Sequence, residues 1–214
     1  MKTTLIGLAL IGASFSSAAG TFSLEYGGFY DRLNGLKKAE VNMVEVAFYV
    51  RPRASASCEL NQVNLVVKKQ DTQRTELMIG PDNALLLPFD RQLKSDRALV
   101  ELDLDGDESS CALAISVQSK PLINPSVDSV WLEQLYQQLD KVYAQYAGFP
   151  MKYFRPEAKG LTLLNSSDSD ISIESRQRLL SLPAGGQLQL TKQELAEIKP
   201  FQVTPSKFKA TAWY

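Results

Sequence analysis

Apolar and polar residues alternate with a period of two along much of this chain. In VEVAFYV, Val44, Val46, Phe48 and Val50 fall on one face, the spacing of a half-buried strand. The same pattern predicts strands at residues 21–26, 58–68, 75–79, 84–87, 98–104 and 111–118. Val63, Leu65 and Val67 form one apolar face, Val100, Leu102 and Leu104 a second, and Leu113, Ile115 and Val117 a third. Breakers punctuate these runs. Gly27-Gly28 ends the first, Arg51-Pro52 the second, and Gly80-Pro81-Asp82-Asn83 is a strong turn signal. Asp105-Gly106-Asp107 reads as a hairpin-type turn.

The period then changes. Val127, Val130, Trp131, Leu135, Leu139, Val142, Tyr143 and Tyr146 recur at steps of three and four, predicting a helix over 127–147. Ser126 suits its N-cap, Asp128 its first turn, and Gly148 with Pro150 its stop. Strand-like runs resume at 161–164, 171–174 and 187–190. Thr191 and Glu194 have capping-box spacing before a short helix over 192–198, and 210–214 reads as a last strand. The expected class is mainly β (α+β), with antiparallel β-sandwich-like sheets and one long amphipathic helix. The expected division is a β-rich domain over 21–123, the helix over 124–149 and a C-terminal β-rich region over 150–214. Residues 80–100 and 185–203 echo each other as turn, Leu-x-Leu, polar spacer, Leu and strand, which suggests two related β units flanking the helix.

The first twenty residues change the picture most. Lys2 precedes an apolar run of about eleven residues and then Ser16-Ser17-Ala18-Ala19-Gly20, the three-part layout of a cleavable secretory signal peptide. That run is too short for a bilayer about 30 Å thick, and no later stretch predicts a membrane span. The expected address is the periplasm. Cys58 and Cys111 are the only two cysteines, and in an oxidising compartment they predict one disulfide. Without Lys2 the 23 basic residues fall to 22 against 24 acidic ones. That balance offers no basic footprint for nucleic acid. The chain has no histidine. This removes Ser-His-Asp and Cys-His catalysis and His-ligated metal sites, while carboxylate-pair, Tyr/Arg and Ser-Lys chemistries survive. The reading therefore includes no cofactor and no metal.

Candidate sites are few. Asp103, Asp105, Asp107 and Glu108 crowd one turn, but glycine falls at the fourth position of an EF-hand frame and Ala114 at the twelfth, so solvated carboxylates are expected. The loop with Asp168 and Asp170 reads the same way. Glu25, Asp31, Glu40, Glu45, Asp90, Glu101 and Glu174 are available acids, and spacing selects no pair among them. Tyr153, Phe154 and Arg155, just after the helix, form the candidate binding segment: short, aromatic, with a cation, where the two β regions meet.

The runs Leu24-Glu25-Tyr26-x-x-Phe29-Tyr30-Asp31-Arg32-Leu33, Val44-Glu45-Val46-x-Phe48-Tyr49, Leu86-Leu87-Pro88-Phe89-Asp90 and Lys209-Ala210-x-Ala212-Trp213 resemble a family of exported Gram-negative proteins that share a domain of unknown function. The resemblance implies a periplasmic or envelope location and supplies no activity or catalytic residue. The expected function is a non-enzymatic binding or envelope-assembly accessory module, with an envelope protein or glycan as partner. The alternatives are a histidine-free carboxylate-dependent enzyme acting on envelope glycans, and a small-ligand carrier with its pocket near Tyr153.

Overall fold

The computed structural model describes residues 20–53, 56–105 and 108–214. The expected signal peptide lies outside these residues, Gly20 excepted, as do Gly106 and Asp107 of the acidic turn. The first half of the chain runs β1 (Gly20–Glu25), α1 (Tyr26–Ala39), β2 (Val44–Pro52), β3 (Glu59–Lys68), β4 (Thr72–Leu77), β5 (Ile79–Gly80), β6 (Ala84–Leu85), α2 (Arg91–Ser95), β7 (Leu99–Asp105) and β8 (Cys111–Ser119). The second runs β9 (Ser126–Val127), α3 (Ser129–Ala147), β10 (Gly160–Asn165), β11 (Ile171–Glu174), β12 (Leu179–Leu182), β13 (Gln187–Thr191), α4 (Lys192–Leu195), β14 (Phe201–Gln202) and β15 (Phe208–Trp213).

A seven-stranded antiparallel sheet, in the order β13-β10-β15-β8-β2-β6-β5, takes strands from both halves. A four-stranded sheet has the order β1-β7-β3-β4, and two ribbons pair β11 with β12 and β9 with β14. The mainly β, α+β class expected from the alternation is the one observed. The expected disulfide joins the sheets: Cys58 enters β3, Cys111 opens β8, and their Cα atoms are 5.5 Å apart.

The two halves repeat one topology. Each runs short strand, long helix, sheet strand, two-stranded excursion, edge strand, short helix, return strand and last sheet strand. β2 lies between β6 and β8, as β10 lies between β13 and β15. β1 pairs with β7 as β9 pairs with β14, and β3 with β4 as β11 with β12. The last strands of the halves meet antiparallel at Thr211 and Gln118, so an approximate two-fold passes between β8 and β15. The sequence echo between 80–100 and 185–203 marks equivalent segments of these halves. The helix between these segments, α3, belongs to the second half and has its counterpart in α1.

Three elements differ from expectation. Gly27-Gly28 does not break the chain: α1 runs through it, with Tyr26, Phe29 and Tyr30 buried. Gly35 in the same helix is required by packing, because a Cβ there would lie 2.4 Å from the Tyr146 ring. The strands on either side of the acidic turn, β7 and β8, do not pair with each other as a hairpin would: they belong to different sheets. The α3 N-cap is Asp128, whose carboxylate accepts from the Trp131 N–H at 2.8 Å, and not Ser126. Its buried stripe is Leu132, Leu135, Tyr136, Leu139 and Val142, which leaves Val130 exposed.

Register fixes which face of the large sheet is apolar. Val46 opposes Val117, and Leu163 opposes Ala210. These residues, with Val44, Phe48, Leu161 and Phe208, belong to the core. Phe29 of α1 meets Phe48 edge-on at 4.9 Å, and Trp131 of α3 lies 6.3 Å from Phe208. The helices therefore cover this face. Because side chains alternate along a strand, Glu45, Tyr49, Arg51, Ser116, Gln118, Thr162, Lys209 and Thr211 project from the opposite face.

Candidate functional site

The segment flagged from sequence follows α3 as a short loop with its own hydrogen bonds. Gly148 turns the chain at φ 66°. The Lys152 N–H then donates to the Gly148 carbonyl at 2.7 Å, and the Phe154 and Arg155 N–H groups donate to the Met151 carbonyl at 3.0 and 3.1 Å. Phe149, Met151, Tyr153 and Phe154 are 84, 58, 69 and 76 % exposed. Phe149 and Tyr153 meet edge-on at 6.3 Å, and the Lys152 ammonium lies 4.9 Å from the Tyr153 ring centre. Arg155 turns the other way. Its Nη2 donates to the Asp140 carboxylate at 2.5 Å and to the Asp140 backbone carbonyl at 3.1 Å, tying the loop back onto α3. The hydrogen bond to Asp140 holds the guanidinium pKa above its ordinary value. Tyr153 and Phe154 thus face solvent while Arg155 anchors them.

A second constellation lies on the outward face of the large sheet, and the sequence did not single it out. The phenol oxygen of Tyr49 accepts from Gln118 Nε2 at 2.8 Å and from Lys209 Nζ at 3.2 Å. Lys209 also donates to Asp82 Oδ2 at 3.1 Å, and Gln118 donates to Glu45 Oε1 at 2.9 Å. Arg51 lies over the Tyr49 ring, its Cζ 4.7 Å from the centre, and Lys209 Nζ is 5.2 Å from the same point. Burial alone would lower the Lys209 pKa. Its bonds to Tyr49 and Asp82 outweigh that and hold the ammonium above the ordinary lysine value.

These groups line a recess of about 380 Å³. Its walls are the turn carrying Asp82 on one side and Asn165, Ser166, Gly185 and Gly186 on the other. Asp82 and Asn83 both take left-handed backbone in this turn, φ 59° and 58°, and the Asp82 carboxylate meets Lys209. An apolar cleft of about 580 Å³ opens between the sheets beside Cys111, lined by Phe22, Leu24, Val50, Leu102, Leu104 and Leu113.

Residues 18–164 match a family model described as a protein of unknown function, DUF2987. The chain belongs to this family. The match covers the first half, α3 and most of β10, and it ends inside the large sheet. No curated protein and no solved structure matches the chain. For this DUF2987 chain the site therefore rests on its own geometry. Its two parts, the aromatic loop and the polar recess, have no histidine. Among the described residues no three acidic or cysteine side chains gather as a metal site would need, and no helix is long and apolar enough to cross a membrane.

Proposed function

We propose that this DUF2987 protein is exported to the periplasm and works there as a non-enzymatic binding module in envelope assembly, docking on a partner protein through the loop that follows α3. One observation carries the reading: four large apolar side chains, Phe149, Met151, Tyr153 and Phe154, stand exposed within six residues on a loop held by its own hydrogen bonds and by Arg155. A contiguous apolar patch is costly to leave in water and marks interaction surfaces. Aromatic side chains dominate binding energy where they enter a partner's pocket. A loop already ordered by Asp140 and Arg155 loses little freedom on docking. Export is supported by the charged, apolar and small-residue succession over residues 1–20 and by the buried disulfide, which belongs to oxidising compartments.

The test is a photo-crosslinking residue placed at Met151 in cells, with Ile123, 97 % exposed, as the control position. One discrete envelope-protein adduct is expected at 151 and not at 123. It should disappear when Phe149 and Phe154 are both replaced by serine in a chain whose circular dichroism is unchanged. Adducts confined to lipid, or a protein adduct that survives the double replacement, refute docking through this loop.

A further inference from the structure

The outward face of the large sheet holds polar side chains that sheet formation does not require. Tyr49 and Gln118 are only 5 and 3 % exposed, although they point away from the helices and the core. The turns carrying Asp82 and Gly185-Gly186 line the same recess on either side of them.

Three observations point to a ligand. Arg51 has no carboxylate partner among the described residues, and the Tyr49 ring holds its guanidinium beside the recess. A guanidinium fork fits carboxylate and phosphate oxygens. The Tyr49 oxygen already receives two N–H donors, and its own proton finds no acceptor among the described residues. Such a hydroxyl is a ready donor to an incoming oxygen. The recess also straddles the approximate two-fold, bounded by the Asp82 turn of one half and the Gly185-Gly186 turn of the other, and junctions between units are favoured binding positions.

Charge sets the ligand class. Arg51 and Lys209 line the recess against one carboxylate, Asp82, while Glu45 is engaged by Gln118 outside the lining. A volume of about 380 Å³ suits a ligand of monosaccharide size. We propose that the recess binds a small hydroxylated organic anion, its oxyanion held by Arg51, Lys209 and the Tyr49 hydroxyl and its other hydroxyls meeting Ser116. This site is independent of the aromatic loop.

The experiment is calorimetric titration of the exported, disulfide-intact protein with D-glucuronate, inorganic phosphate and uncharged glucose. At least one acidic probe is expected to bind with Kd below about 1 mM, and glucose at least about tenfold more weakly. Arg51→Gln and Tyr49→Phe should each weaken binding of that probe about tenfold, the loss of one charge-assisted hydrogen bond. Asp82→Asn should tighten it about threefold by removing a like charge, and asparagine tolerates the left-handed backbone at that position. Binding of glucuronate alone identifies a carboxylate ligand, and binding of phosphate a phosphate group. Neither acid binding, glucose binding equally well, or Arg51→Gln and Asp82→Asn shifting affinity in the same direction overturns the proposal. A merely structural role for Asp82 would not produce tighter binding.

Discussion

Replacing Cys58 and Cys111 together by alanine tests the join between the two sheets. The bond closes a segment of 53 residues that holds β3, β4 and β7, most of the four-stranded sheet. In the chain-entropy treatment, opening a loop of that length returns about 14 cal/mol/K to the unfolded chain, or about 4 kcal/mol at 25 °C. Both cysteines are buried, so the two lost sulfurs add about 1 kcal/mol more. The sum is a large share of the 5 to 15 kcal/mol typical of a folded domain, roughly. The assay is urea unfolding followed by fluorescence of Trp131 and Trp213 and by circular dichroism. With a slope of about 2 kcal/mol/M the midpoint should fall by about 2.5 M, and the slope should rise because the uncrosslinked chain exposes more surface. Reductant should move the wild-type curve by about 2 M, most of the way to that of the variant because the buried sulfurs remain, and leave the variant where it is. A midpoint shift under about 0.5 M with an unchanged slope refutes the reasoning. It would mean that the segment stays compact in urea even when uncut, so that the link removes little freedom.

Other perturbations are expected to act as follows. Gly160→Ala should lose about 3 kcal/mol in urea unfolding, because its Cβ would stand 1.9 Å from the Leu190 carbonyl oxygen, a backbone atom that moves only if β13 leaves β10. Arg155→Gln should lose about 2 kcal/mol, since it leaves the Asp140 carboxylate, already with one buried unpartnered oxygen, without its cation; a loss under about 0.5 kcal/mol would mean the loop is not anchored there. Thr191→Ala should lose about 1 kcal/mol of the α4 cap. The same change should blunt acid sensitivity: Thr191 backbone and hydroxyl donors hold the Glu194 pKa below the usual range, so their stabilisation is present above that range and lost as pH falls through the lowered value. Burial pushes the Tyr146 phenol up to about 12 from 10.0, so stability should fall as pH climbs between those values; burial pushes Tyr214 up to about 12 as well, so an ultraviolet titration of Tyr146→Phe should keep a late step of about half the size.

Most strands were legible because alternation survives wherever one face is buried. The Val44, Val46, Phe48 series and the Thr191 capping box appear where the pattern put them. Helix α1 is masked in the sequence, although Tyr26, Phe29, Tyr30, Leu33 and Leu36 are spaced as one helical face. Two adjacent glycines, each costing about 1 kcal/mol in an isolated helix, outweighed that period. In the folded chain, burial of Tyr26 and Phe29 against the core offsets the cost. The assignment of β7 and β8 to different sheets was illegible for another reason: a turn signal states that the chain reverses, not which strand it rejoins.

The polar recess was hidden more deeply, and the reason bears on what it is for. Lys209 and Tyr49 meet across 160 positions of sequence, and only the pairing of β15 with β8 brings them together. Each looks ordinary on its own strand, an outward polar residue beside an inward apolar one. The half-to-half repeat supplies the missing step. When two copies of one strand arrangement join edge to edge, the sheet widens to seven strands. The turn before β6 in one copy and the turn before β13 in the other then stand as facing walls. Polar groups that a single copy would leave in water become shielded, and shielding an amide, a phenol and an ammonium costs stability unless they are fully bonded. Lys209 and Gln118 meet that requirement through Asp82, Tyr49 and Glu45. The Tyr49 proton and Arg51 do not. A surface that stabilises the fold would have ended in threonine or serine there; two unfilled donors in a walled recess instead present a shape and charge that a ligand completes.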